Sequence, residues 1–154
     1  MTSPSNGPDL EPLEAVFALV AVAGSSAACT TQGDLATARI LAEYYTLVAS
    51  AARPAEGRIV KVMGDGVLLT FPKARVREAL SALHALKREG TRLWQQFDQG
   101  CRVQLKIGAG LVVAGQMGPP DDQRFDVYGD ALNRLVRMPT GDVVISPEAQ
   151  ALLT

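Results

Sequence analysis

Ile59-Val60-Lys61-Val62-Met63-Gly64-Asp65-Gly66-Val67-Leu68-Leu69-Thr70-Phe71 is the stretch that decides the fold. Two apolar, β-branched runs, 59–63 and 67–71, flank Gly64-Asp65-Gly66, whose Asp-Gly pair signals a tight hairpin of type I′. Two antiparallel strands follow from it. Gly108-Ala109-Gly110 does not support a dinucleotide-binding alternative, because the third glycine is missing and no helix N-terminus follows a strand there.

Upstream of the hairpin, residues 14–22 are apolar enough for a fully buried strand. Asp34 caps a helical pattern with Ile40, Leu41, Tyr44, Tyr45 and Val48 at turn spacing, ended by 54–57. Downstream, 73–99 reads as a long amphipathic helix with Val76, Ala79, Leu80, Leu83 and Leu86 on one face and Gly90 as a candidate break. Strands at 101–107, 110–114 and 124–128 lead into a short helix at 130–138. A further strand is expected at 142–146, and Pro147 starts a last helix. The order β-α-β-β-α-β predicts an α+β sandwich of the ferredoxin-like, split βαβ kind, with helices on one face of a mainly antiparallel sheet.

The chain has 154 residues, 47% of them hydrophobic, enough for one domain with a sizeable core. Its net charge of −1 gives no bulk attraction to polyanions, so nucleic acid is not an expected partner. Cys29 and Cys101 have neither metal-ligand spacing nor the density of a disulfide framework, which points to a reducing, cytoplasmic setting. Residues 1–12 read as a disordered leader without the basic and apolar regions of a secretory signal, ahead of a domain at 13–154. The longest uncharged run, 15–33, is too polar to span a bilayer, so no membrane segment is expected.

Five polar residues stand out by spacing: Lys61 and Asp65, four apart, and then Asp126, Asn133 and Arg137 at intervals of seven and four. Singly, each has an ordinary explanation. Asp65 suits a turn, Lys61 an edge strand, Asp126 a strand end, and Asn133 with Arg137 a solvated helix face. Together, these residue types at these offsets resemble the signature of class III nucleotidyl cyclases. The segment Gly110-Leu111-Val112-Val113-Ala114-Gly115-Gln116-Met117-Gly118 is similar to the glycine-punctuated strand that precedes that signature. The resemblance covers 13–153 and stops short of the family's last strands.

The resemblance implies a dimer with composite sites, either a homodimer or a heterodimer with another cyclase-like chain, and 118–124 would be its dimerisation arm. It implies ATP as substrate, converted to cyclic AMP and pyrophosphate by attack of the ribose 3′-hydroxyl on the α-phosphate. Lys61 and Asp126 would bind the substrate's adenine, and the catalytic pair would be Asn133, orienting the ribose, and Arg137, stabilising phosphate charge. Two Mg²⁺ or Mn²⁺ ions would hang on two aspartates, of which Asp65 matches the second. The first falls on Leu19, which cannot ligate a cation, and the nearest acid with any plausibility as a substitute is Glu14. The expectation is a cyclase-homology domain, degenerate at that position, that binds ATP as a regulatory dimer without autonomous activity. The alternatives are an active cyclase, alone or with a metal-competent partner, and a dimerisation module that binds no nucleotide. His84, Trp94 and Phe97 carry no assigned chemistry.

Overall fold

A computed structural model describes residues 9–154. Along the chain run β1 (Leu10–Ala23), α1 (Ser25–Gln32), α2 (Asp34–Ala52), β2 (Arg58–Met63), β3 (Gly66–Pro72) and α3 (Val76–Phe97). They are followed by β4 (Arg102–Met117), β5 (Arg124–Tyr128), α4 (Asp130–Arg137), β6 (Val143–Ile145) and α5 (Pro147–Ala151). The sheet order is β2-β3-β1-β4-β5, all antiparallel, with β6 added parallel to β4. This is the expected α+β architecture.

Central β1 explains the two-layer core. Successive side chains of a strand point to opposite faces, so Val16, Ala18, Val20 and Val22 pack on one side and Ala15 and Phe17 on the other, all buried. The first face is covered by α2 and α3, whose Tyr44, Val48, Leu83, Leu86 and Trp94 complete the larger cluster. The second face is covered by α4, whose Leu132 and Leu135 sit against Phe17, Leu68, Val112 and Val127. Helices therefore occupy both faces and not one, because the apolar stripe of α4 lies over sheet surface that α2 and α3 leave open.

Several elements depart from expectation. β1 begins at Leu10, and Leu10–Pro12, expected in the leader, pair with Gly115, Ala114 and Val113; residues 1–8 of that leader lie outside the described residues. Helix α1 follows Gly24 (φ 84), and its Ser, Thr and Cys content gives little helical signal. The residue preceding α2 is Gly33, and Asp34 is in the first turn. Helix α3 runs through Gly90, where a Cβ would come 2.8 Å from Val103 Cγ2, so the glycine allows close packing on β4. The two strands expected at 101–107 and 110–114 are one strand, β4. A Cβ at Gly108 would lie 3.0 Å from Leu135 Cδ1, and one at Gly110 would lie 2.7 Å from Ala131 Cβ. These two glycines are the seat of α4. The expected hairpin is present, but Gly66 belongs to β3 and pairs with Met63, so the loop is Gly64-Asp65 and not the Asp-Gly pair; positive φ falls on Gly64 (φ 59) and not on Asp65, so the turn is not type I′.

Candidate functional site

β2 and β5 are the outer strands of the hydrogen-bonded order, yet their side chains meet. Lys61 Nζ lies 3.0 Å from Asp126 Oδ1 and 3.3 Å from Oδ2, and the Arg58 guanidinium carbon lies 3.6 Å from the centre of the Phe125 ring. Twist accumulated across the sheet brings the two edges round towards each other. A bulge in β2 adds to it: Arg58 pairs with Thr70 and Ile59 with Leu69, but Lys61 pairs with Leu68. Three residue steps on β2 thus match two on β3. Residues three apart in a regular strand face opposite sides; here Arg58 and Lys61 face the same one.

Between the edges lies a cleft of about 310 Å³, lined in part by Leu19, Lys61, Leu68, Val127, Asn133 and Val136. Asp126 reaches it through Lys61, and its Oδ1 also accepts the Val127 N–H at 2.8 Å. Asn133 is brought there by α4, whose end is tied to the sheet by Lys106 Nζ donating to the Val136 carbonyl at 3.0 Å. Gly129, just before α4, has an extended backbone (φ 166) that any residue adopts. Its requirement is steric, since a Cβ would come 2.9 Å from Val112 Cγ1. Of the expected site residues, Lys61 and Asn133 line the cleft, and Asp126 joins them only through its contact with Lys61. Arg137, exposed one turn beyond Asn133, and Asp65 are, like Asp126, outside the cleft lining.

Asp65 is bound into the hairpin. Its Oδ2 accepts the Val22 N–H at 2.8 Å, and its backbone carbonyl accepts the Tyr44 hydroxyl at 3.0 Å. The Tyr45 hydroxyl donates to the Gly64 carbonyl next to it. Burial, then the Asp65 charge, then Tyr45 push the Tyr44 phenol well above its usual 10.0, so it stays a hydrogen-bond donor. In the sequence this tyrosine pair shows only helical turn spacing; nothing local marks a hydroxyl that bonds a turn elsewhere in the chain.

Leu19 pairs across β1 and β3 with Leu68 and packs against the α4-side cluster. Glu14 is no substitute for a carboxylate at that position: it lies opposite Leu111, its carboxylate is 3.1 Å from Lys73 Nζ, and it lines a different cavity with Lys73 and Glu148. Divalent cations of the magnesium kind need several oxygen ligands in near-octahedral array. Among the described residues no three His, Cys, Asp or Glu side chains are grouped to hold an ion. Asp65 stands as a single carboxylate with one oxygen already engaged, so the residues present do not fit a two-cation site. His84 is exposed on α3, and Trp94 is fully buried, edge-on to Tyr44 and Phe97. Among the described residues no helix is long and apolar enough to cross a membrane.

No protein-family model matches the chain. Over 132 residues, 81% of the chain, it is 24% identical to adenylate cyclase 2 of Rhizobium meliloti (strain 1021), and it spans 36% of that protein's length. Among solved structures it is similar to the adenylyl cyclase CyaB from P. aeruginosa, with a TM-score of 0.82 and 20% identity over 94% of this chain and 82% of that one. It is similar to the guanylyl cyclase Cya2 with a TM-score of 0.83 and 19% identity over 96% of this chain and 81% of that one.

Proposed function

The chain has the fold of a class III nucleotidyl cyclase catalytic domain, and we propose that on this scaffold it binds ATP but does not turn it over by itself. The observation that carries the reading is the cleft: Lys61, paired with Asp126, and Asn133 share it with Leu19, where a metal-binding carboxylate would be needed. In this reading the Lys61 ammonium donates to an adenine ring nitrogen and the Asp126 carboxylate accepts from the exocyclic amine. Guanine, with a carbonyl where adenine has the amine, is disfavoured by the same carboxylate. Asn133 orients the ribose. Arg137, on the exposed end of α4, meets phosphate in a site completed by a second chain. That second chain is another copy or a different cyclase-like protein, in a cytoplasmic regulatory dimer.

The test is calorimetric titration with ATP and GTP, together with cyclic AMP production from ATP and Mn²⁺ by the wild type and by Leu19→Asp. The expected result is ATP binding tighter than GTP binding, a silent wild type, and turnover gained by Leu19→Asp. Wild-type turnover on the order of one per second would place the chain among ordinary enzymes and overturn the reading.

A second reading is favoured by the same asymmetry, a base and ribose site without a metal site: the chain completes an active heterodimer with a partner that supplies both aspartates. Mixing with a cyclase domain that keeps both aspartates but lacks its arginine tests it. Turnover should appear only in the mixture, and persistent silence would refute it.

A further inference from the structure

The ion pair that reads the base cannot hold itself in place. Lys61 and Asp126 stand on strands that share no backbone hydrogen bonds, and their side chains are 51% and 22% exposed. An exposed lysine–carboxylate pair gains little from contact and loses side-chain freedom in making it. Something else must set the distance between the two edges. The other close cross-edge contact is Arg58 over Phe125 at 3.6 Å, with the Phe125 ring and Val60 both packed against the α4-side cluster. Lys61 and Arg58 reach β5 together only because the bulge turns both to the same face of β2.

We propose that Arg58 and Phe125 are positioning residues: their stacked contact, with the β2 bulge, holds the edges at the spacing that keeps Lys61 opposite Asp126, and so sets the preference for adenine over guanine. The proposal rests on the base-reading role assigned above to Lys61 and Asp126. A planar guanidinium over an aromatic face is attractive and orients the strand pair without hydrogen bonds. Phe125 is anchored from below by apolar packing, so the stack is a fixed strut, whereas the lysine stem is not. Loss of the strut leaves Lys61 and Asp126 in the molecule but widens the range of separations they sample, which weakens the ligand that needs both groups at one spacing.

The experiment measures ATP and GTP affinities for the wild type, Phe125→Leu, Arg58→Gln, Arg58→Lys, Lys61→Met and the double variant Lys61→Met/Phe125→Leu, with thermal unfolding of each as a check on folding. Phe125→Leu and Arg58→Gln should each lower the ATP-to-GTP affinity ratio about threefold, mainly through ATP, and Arg58→Lys should restore part of it. In the Lys61→Met background, Phe125→Leu should change the ratio no further, because its effect passes through Lys61. Equal weakening of ATP and GTP by Phe125→Leu, or an undiminished effect in the Lys61→Met background, would overturn the positioning role while leaving the base-reading role intact. A wild-type ratio that Lys61→Met does not alter would overturn both.

Discussion

Lys61 and Asp126 touch at 3.0 Å from the two outer strands of the order β2-β3-β1-β4-β5, so the contact is made between side chains and not along a ladder. A cleft bounded by the meeting of two edges is sensitive to anything that alters twist or the seating of α4.

Breaking the pair itself should cost little stability. In a double-mutant cycle with Lys61→Met and Asp126→Asn, the coupling measured by denaturant unfolding should be under about 1 kcal/mol, since Lys61 is half exposed. ATP affinity should fall in each single variant by more than that coupling would explain, as calorimetry would register.

Asp65 should behave as a structural acceptor in the free protein. Asp65→Ala leaves the Val22 N–H without its partner and should destabilise by about 1–3 kcal/mol, whereas Asp65→Asn keeps an acceptor oxygen and should lose only a small part of that. Equal losses for the two variants in urea unfolding would show that the hydrogen bond is not what the carboxylate contributes.

Alkaline sensitivity should centre on Tyr44 and Cys101. Tyr44 is raised above 10.0 by burial, the Asp65 charge and Tyr45; Cys101 is raised above 9.0 by burial and then by Asp98, Cys29 and Asp65. A group whose folded value is raised stabilises fully below its unfolded value, and that contribution is lost as pH climbs beyond it towards the folded one. Stability should therefore be unaffected by these two groups below about pH 9 and fall above it. Tyr44→Phe should lose stability at neutral pH, by roughly 1–2 kcal/mol for the orphaned Asp65 carbonyl, but show a shallower alkaline decline. A decline of unchanged steepness in that variant would assign the effect elsewhere.

The seat of α4 should be intolerant of a single methyl group. Gly110→Ala would bring a Cβ to 2.7 Å from Ala131 Cβ and, by overpacking, cost about 1–3 kcal/mol. Because α4 carries Asn133, nucleotide affinity should fall further than in a surface variant of equal stability. A purely thermodynamic loss, with calorimetric affinity unchanged, would show that α4 shifts without moving the cleft.

Hairpin, helices and chemistry differ in how far local pattern reveals them. The run 59–71 has period and turn chemistry enough to predict β2 and β3, and the apolar stripe of Val76, Ala79, Leu83 and Leu86 predicts α3. Helix α1, with serine and threonine through its length, carries no such stripe and goes unseen. Gly108 and Gly110 read as a break between strands because glycine lowers strand propensity; only the helix lying across them shows why a long strand keeps them.

By itself the sequence determined which residue types are available and at what spacing: an antiparallel hairpin, amphipathic helices, the residues Lys61, Asp126, Asn133 and Arg137, and a leucine at position 19. The tertiary structure alone decided that Lys61 faces Asp126, that Asp65 is tied to Val22, and that Glu14 is turned to Lys73 instead of standing in for a ligand. The physical reason is range. Periodicity and turn chemistry act over a few residues and are written locally, whereas a one-residue bulge and the summed twist of five strands reassign faces and bring edges together through pairings between distant parts of the chain.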